Sequence, residues 1–294
     1  MAAPWHEGEV ALQRTVGLDE PLAEIGPKVV RDHLTEQHRA FFPLLSFAVL
    51  GAVDGEGNVW ATMRAGRPGF LSSPDPFRLD LAIPVDPYDP AEAGLKEGEP
   101  AALLGIDLAT RRRNRLNGPI RRRAGGGFSL EVSQSFGNCP KYITLRGPAL
   151  AAEESLDPPE RMTALDADAR AQIKRADTFF VASYAVGWDG NRQVDVSHRG
   201  GPAGFVRVDG DGVLTIPDYS GNRYFNTLGN LAANPRAGLV FVDFTTGTLL
   251  QMTGDTELLL DSAEIGDFPG AERLWRFHPR RIVRRKGGLP LRWH

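Results

Sequence analysis

Asp54-Gly55-Glu56-Gly57-Asn58-Val59-Trp60-Ala61-Thr62-Met63-Arg64-Ala65-Gly66-Arg67-Pro68-Gly69-Phe70 is written again, in altered form, as Asp189-Gly190-Asn191-Arg192-Gln193-Val194-Asp195-Val196-Ser197-His198-Arg199-Gly200-Gly201-Pro202-Ala203-Gly204-Phe205. A constant offset of 135 positions superimposes Asp54-Gly55 on Asp189-Gly190, Thr62 on Ser197, Arg64 on Arg199, Gly66 on Gly201, Gly69 on Gly204 and Phe70 on Phe205. Pro100 meets Pro235 at the same offset, and one inserted residue then carries Asp107 to Asp243 and Gly118 to Gly254. A period that long, met twice, describes a domain-sized unit and its duplicate.

Working outward, each copy holds short apolar runs separated by Gly, Pro and Asp-Gly, the pattern of antiparallel strands joined by tight turns. The runs are Phe47–Val53, Val59–Met63, Leu79–Ile83 and Ala101–Leu108 in the first copy. In the second they are Phe179–Val186, Gln193–Ser197, Val213–Ile216 and Gly238–Phe244. The composition predicts a mainly β protein with peripheral helices (α+β), built as two tandem antiparallel barrels. Helices are expected over Val29–Phe42, Pro158–Ala176 and Phe225–Ala233, the last closing before Pro235, with Ala91–Lys96 at the corresponding place in the first copy. The expected divisions are 1–45 as a helical extension, 46–150 as the first barrel, 151–176 as a helical linker, 177–260 as the second barrel and 261–294 as a basic tail.

The 294 residues suit two modest domains with a core each. The longest uncharged apolar stretch, Phe41–Val53, is thirteen residues and contains Pro43, too short to span a bilayer. His6, Glu7 and Glu9 interrupt the N-terminus where a secretory signal would be apolar, so a cytoplasmic protein is expected. The lone Cys139 permits no internal disulfide. A Walker lysine and a Gly-x-Ser-x-Gly elbow are both missing, and Gly55-x-Gly57 and Gly210-x-Gly212 run into Trp60 and Thr215 where a dinucleotide fingerprint needs a small residue. His33 and His38, five apart, lack the i, i+4 spacing of a helical zinc pair, and no metal site is expected.

Three stretches carry chemistry. On a strand Ser197 and Arg199 share a face, the glycines that follow leave backbone N–H groups open, and Asn222 and Arg223 lie on the loop after the next strand. This is either a phosphate site or an exposed arginine pair on a turn. Asp86, Pro87, Tyr88 and Asp89 stand at the equivalent loop of the first copy, where carboxylates repel an anion, so a phosphate site is expected in the second copy alone. Arg111 to Arg123 holds seven arginines in thirteen residues. With an overall pI near 6.1 it reads as a solvated strand edge partly turned toward an anionic ligand, and nucleic acid is not the expected partner. Gln134-Ser135-Phe136-Gly137-Asn138-Cys139-Pro140-Lys141-Tyr142-Ile143 mixes an amide, a cation and an aromatic ring on an irregular backbone, and reads equally as a ligand wall or as a turn burying Cys139.

Taken in order, Asp54-Gly55, Trp60-Ala61-Thr62, Gly66 to Phe70, Arg111 to Arg115 with Gly118, Gly137 to Ile143, Asp195 to Arg199 and Gly221-Asn222-Arg223 resemble the pyridoxamine 5′-phosphate oxidase superfamily, the FMN-binding split barrels, in its two-barrel branch. The resemblance spans Phe41 to Leu260. It implies FMN held noncovalently at the junction of two barrels, which this chain would supply internally as a pseudo-dimer, with a homodimer of such chains still possible. By matched position it places Val196, Ser197, His198 and Arg199 on the flavin strand, Ile216 at the start of the next flavin-facing stretch, Asn222 and Arg223 at the phosphate loop, and Gln134, Asn138 and Lys141 on the other barrel. Where the family has Ser-Arg-Lys this chain has Gly221-Asn222-Arg223, one cation fewer, and Arg276-Phe277-His278 is similar to the family's substrate-binding Arg-x-His only as a tripeptide. The implied function is an FMN-dependent oxidoreductase acting on a small molecule, with a nicotinamide donor as one source of electrons. The alternative is a noncatalytic module holding flavin, haem or a deazaflavin.

Overall fold

Phe47–Val53 (β1) is buried along its whole length, and such a strand needs cover on both faces. Its alternate residues go to different places. Ala48, Leu50 and Ala52 pack into the first barrel with Leu79, Leu103 and Phe128. Phe47, Val49 and Val53 pack outward, against Phe180, Val196 and Val240 of the second copy. The computed structural model, which describes residues 4–137, 139–150, 157–188 and 190–293, therefore has three apolar layers, one inside each barrel and one between them.

In the first copy β1 is followed by β2 (Val59–Ala65), β3 (Leu71–Asp75), β4 (Arg78–Leu81), β5 (Pro100–Asp107), β6 (Arg112–Arg122), β7 (Phe128–Glu131) and β8 (Gln134–Gly137). Then come β9 (Pro148–Leu150), β10 (Glu160–Met162), β11 (Thr178–Val186), β12 (Arg192–Gly200), β13 (Arg207–Val208), β14 (Leu214–Tyr219), β15 (Arg236–Val242), β16 (Leu249–Leu259), β17 (Ala271–Arg285) and β18 (Leu291–Trp293). The first sheet runs β2-β1-β5-β6-β7-β4-β3 and the second β12-β11-β15-β16-β17-β14-β13, all pairs antiparallel. The order is the same strand for strand, so the duplication seen in sequence is a duplication of topology.

The copies face one another reciprocally: β2 lies on β11, β15 and β16, while β12 lies on β1, β5 and β6. Glycine sets the approach. A Cβ on Gly238 of β15 would fall 2.4 Å from the carbonyl oxygen of Val59, and one on Gly51 would press Ala182 and Val196 at 3.1 and 3.2 Å. Burying Phe180, Val194, Val196 and their partners from water stabilises the pairing by roughly 1.5–3 kcal/mol for each large side chain. The tandem barrels are thus a pseudo-dimer joined through a shared apolar layer.

Several local expectations change. In place of a helix over Val29–Phe42, α2 (Asp19–Val29) stops, Arg31 exchanges both backbone hydrogen bonds with Ser135, and α3 (Glu36–Phe41) restarts under a Thr35 cap. The expected linker helix shortens to α4 (Ala167–Arg175), capped by Asp166, because Glu160–Met162 is taken up as a strand by β17. Ala91–Lys96 yields one 3-10 turn, Pro90–Ala93, whereas α5 (Asn226–Ala233) forms and stops at Asn234. The expected basic tail contains β17, a fifteen-residue strand lying between β14 and β16. Its cations Arg284 and Arg285 are buried because Glu160, Asp166, Asp86 and Asp89 neutralise them. Residues 151–156 of the expected linker, Asp189 and Asn138 lie outside the described residues. Among the described residues no helix is long and apolar enough to cross a membrane.

The N-terminal α1 (Glu7–Thr15) seats on α5 with backbones nearly touching, since a Cβ on Gly8 would meet the Gly229 carbonyl oxygen at 2.2 Å. Glu9 is carried into this seam, where Asn226 Nδ2 donates to it at 2.6 Å and the His6 amide at 2.9 Å. Burial pushes its carboxyl up to about 8, against the pull of those donors. The folded protein therefore keeps the proton while the unfolded chain releases it above about pH 4.5, and folding loses up to about 1.4 kcal/mol per pH unit between there and about pH 8. Glu9→Gln is expected to abolish this slope. Melting temperatures from pH 4.5 to 8 should fall in wild type relative to the variant, and parallel curves would refute the assignment.

Candidate functional site

At the end of β12 the strand leaves the inter-barrel layer and opens into a cleft. Ser197, His198, Arg199 and Gly200 form one wall, the loop from Tyr219 to Phe225 a second, and Arg113, Arg115 and residues 139–142 of the first barrel a third. Gly200 is required here, because a Cβ would sit 2.1 Å from the carbonyl oxygen of Tyr142. The first barrel's irregular segment thus crosses directly over the strand end. Tyr142, Arg223 and Phe225 all have φ near +60°, a left-handed conformation that costs non-glycine residues energy and that tends to collect at ligand sites.

Of the six cationic side chains in the cleft wall, four share three carboxylates. Arg115 Nη1 donates to Asp195 at 3.0 and 3.1 Å, and Asp195 also accepts from Ser197 Oγ at 2.9 Å, which in turn accepts from Thr227 Oγ1 at 3.0 Å. Arg199 reaches Asp218 at 2.7 Å, Arg223 reaches Glu272 at 2.5 Å, and Arg273 touches both carboxylates at 3.4 and 3.0 Å. Arg113 and Lys141 have no carboxylate within 4 Å among the described residues. Arg113 donates to the backbone carbonyl of Cys139, and burial with Arg115 and Arg199 nearby pulls its pKa down to about 9.

His198 is buried edge-on to Phe180, 5.6 Å between centroids, with no hydrogen-bond partner for Nε2. Burial, reinforced by Arg113, Arg199, Arg115 and Arg146, holds its pKa well below the usual histidine value, so the ring is neutral near pH 7. Arg199 Nε and Arg113 Nε are also buried without partners. Buried polar atoms without partners are unusual in a folded protein, and these three belong to residues that line the cleft.

Of the residues singled out in sequence, Ser197, His198, Arg199, Asn222, Arg223 and Lys141 are brought together in this cleft. Val196 points into the layer between the barrels and Ile216 into the second barrel's core, both fully buried. Gln134 lies outside the cleft, bonded to Asn117 and to the carbonyl of Pro4, and Asn138 is outside the described residues. Arg276 is tied to Glu257 and Glu264, and neither it nor His278 lines the cleft. Sequence reading missed Asp218, Glu272 and Arg273, whose role appears only when β14 and β17 pair.

The corresponding position in the first copy is closed. Thr62 and Arg64 occupy the places of Ser197 and Arg199, but Asp89 sits on them, accepting from Thr62 Oγ1 at 2.5 Å and lying 3.0 Å from Arg64 Nε. Asp86 and Glu92 complete the neutralisation of Arg64 at 3.5 and 2.5 Å. A hydroxyl and a guanidinium that hold a carboxylate in one copy lie beside an open cleft in the other.

Residues 165–286, from just before α4 to the end of β17, match the family described as pyridoxamine 5′-phosphate oxidase. The second barrel belongs to that family. Several solved structures are similar to part of the chain. HupZ of Group A Streptococcus is 16% identical, over 43% of this chain and 98% of its own, with a TM-score of 0.32. HutZ of Vibrio cholerae, described as a heme storage protein, is 15% identical over 41% and 95% with a TM-score of 0.28. An FMN-binding protein of Syntrophomonas wolfei is 9% identical over 39% and 86%, also at 0.28. Each of these structures corresponds to less than half of this chain. Among curated proteins none matches its sequence.

Proposed function

We propose that this chain binds FMN in the cleft between its barrels and acts as an oxidoreductase on a small molecule, with electrons drawn from that molecule or from a nicotinamide donor. The observation that carries the reading is the cluster of cations from both barrels, in excess of their carboxylates, around buried donors that lack acceptors. Ser197, Arg199, Asn222 and Arg223 present the hydroxyl, guanidinium and amide groups suited to a phosphate dianion, with Arg199 oriented by Asp218 through its Nη1. The neutral imidazole of His198 can donate or accept one hydrogen bond toward a ring system. Flavin, when bound, supplies the redox chemistry itself, leaving the protein to hold, orient and screen it.

The second reading is a haem or deazaflavin module without turnover. An uncharged, unpartnered His198 Nε2 is the form of histidine that ligates iron, which favours haem within that alternative. Reconstitution separates the two. Purified protein incubated in turn with FMN, riboflavin and haem is expected to retain FMN with a flavin spectrum, and to bind riboflavin more weakly for want of a phosphate. Failure to take up FMN, or a Soret band that is lost in His198→Ala, would overturn the flavin reading.

A further inference from the structure

In the loop between β14 and α5, Arg223 and Phe225 are both left-handed and flank Tyr224. Two such residues so close together persist only where their surroundings over-determine the backbone. Part of that constraint is local, since the Tyr224 amide donates to Asn222 Oδ1 at 3.2 Å and Arg223 pairs with Glu272. The rest comes from the far end of the sequence. Gln13 of α1, fully buried, donates through Nε2 to the Tyr224 carbonyl at 3.1 Å. Trp5 sets its ring 4.9 Å from that of Tyr224, and its own Nε1 is pinned by the Leu22 carbonyl at 2.9 Å. Glu9 accepts from Asn226, the first residue of α5 and part of the cleft wall.

The two copies differ at this seat. Strand pairing sets Arg115 opposite Phe136 and its equivalent Gln251 opposite Val283, so Phe136 and Val283 are counterparts. Trp5 and Val30 pack on Phe136, whereas Val283, with Trp60 and the turn at Pro90–Ala93, lines a cavity of about 510 Å³. The N-terminal extension thus covers one of two equivalent seats, the one beside the open cleft.

We infer that Gln13 and Trp5 are positioning residues for the cleft: acting through Tyr224, they hold Arg223 where it meets a phosphate, and the N-terminal extension sets phosphate affinity from outside the family-matched residues. Neither side chain lines the cleft. The inference rests on the flavin reading for its ligand and on direct contacts for the loop.

Gln13→Met keeps the length of the side chain and removes its donor, and Trp5→Ala removes the ring. In the ligand-free full chain, hydrogen exchange at the amides of residues 220–225 is expected to quicken by about two- to tenfold in Gln13→Met and by about five- to hundredfold in the double variant, with β11 and β15 unchanged. The FMN dissociation constant should rise by similar factors while that of riboflavin stays within about twofold. Trp5→Phe, which keeps a ring on Tyr224, should restore the wild-type ratio of FMN to riboflavin affinity. A loop that exchanges at the wild-type rate in the double variant overturns the proposal, as does a faster loop with that ratio unchanged, or exchange in β11 and β15 that rises as much as in the loop. If wild type takes up no FMN, the flavin reading falls by itself. The exchange comparison alone then decides whether α1 positions the loop, faster exchange confined to residues 220–225 supporting it and any other pattern overturning it.

Discussion

Arg199→Ala combined with Arg223→Ala is expected to weaken FMN binding by about two to three orders of magnitude and riboflavin binding hardly at all. Each hydrogen bond from a guanidinium to a phosphate contributes about 1.5–3 kcal/mol, and about 1.4 kcal/mol is a factor of ten in affinity. The two arginines are not independent, since Asp218 and Glu272 both also touch Arg273. Arg273 keeps those carboxylates paired in the variant, so the barrel should survive the substitution and the loss should be confined to the ligand. Titration of FMN and riboflavin fluorescence checks this. Equal weakening of both ligands would mean that the arginines support the fold instead of gripping phosphate.

The largest stability effect is expected in the other copy. Asp89 is fully enclosed and receives Thr62 Oγ1, Gln251 Nε2 at 3.0 Å and the Ala91 amide at 2.9 Å, with Arg64 and Arg285 beside it. Burial opposes its ionisation, but those two guanidinium groups outweigh it and hold its carboxyl below the usual range. Asp89→Ala leaves Arg64 and Arg285 to Asp86 and Glu92 alone, a change that costs up to about 3–5 kcal/mol, the figure for breaking a buried pair. For a chain of this size the melting temperature should drop by on the order of 10 °C. Because the native pKa is depressed, the contribution of Asp89 is present above about pH 4 and is lost as the pH falls through the native value. Wild type should therefore lose stability faster than Asp89→Asn over that acid range, and calorimetry that finds the two indistinguishable there would refute the ion-pair account.

How much of this was legible in the sequence depends on whether a signal was local. The repeat was, because glycines at turns and close approaches, such as Gly66 against the Phe70 ring and Gly201 against the Phe205 ring, recur at a fixed offset whatever surrounds them. The inner strands followed from their unbroken apolar runs. Strand β17 escaped, since Arg-Phe-His-Pro-Arg-Arg-Ile-Val-Arg-Arg reads as a solvated tail until carboxylates from 86, 89, 160 and 166 are brought beside it. The same holds in the cleft: Ser197, Arg199 and Arg223 stand in a readable motif, but their carboxylate partners arrive through sheet pairing. The arginine run on β6 gave a mixed signal for a physical reason. Strand alternation turns Arg112 to solvent and Arg115, three places on, into a buried pair with Asp195, and residues of one type carry no mark of which face they take.

The fusion of two barrels into one chain has an evolutionary corollary. In a symmetric dimer every substitution is made twice, so a residue that improves one ligand wall must be tolerated at its mirror position. Here β6 can acquire arginines while β16 keeps Leu249 and Gln251, and Asp89 can seal one pocket without touching the other. Within one chain that obligation does not hold, and the opposite walls of the cleft are free to specialise.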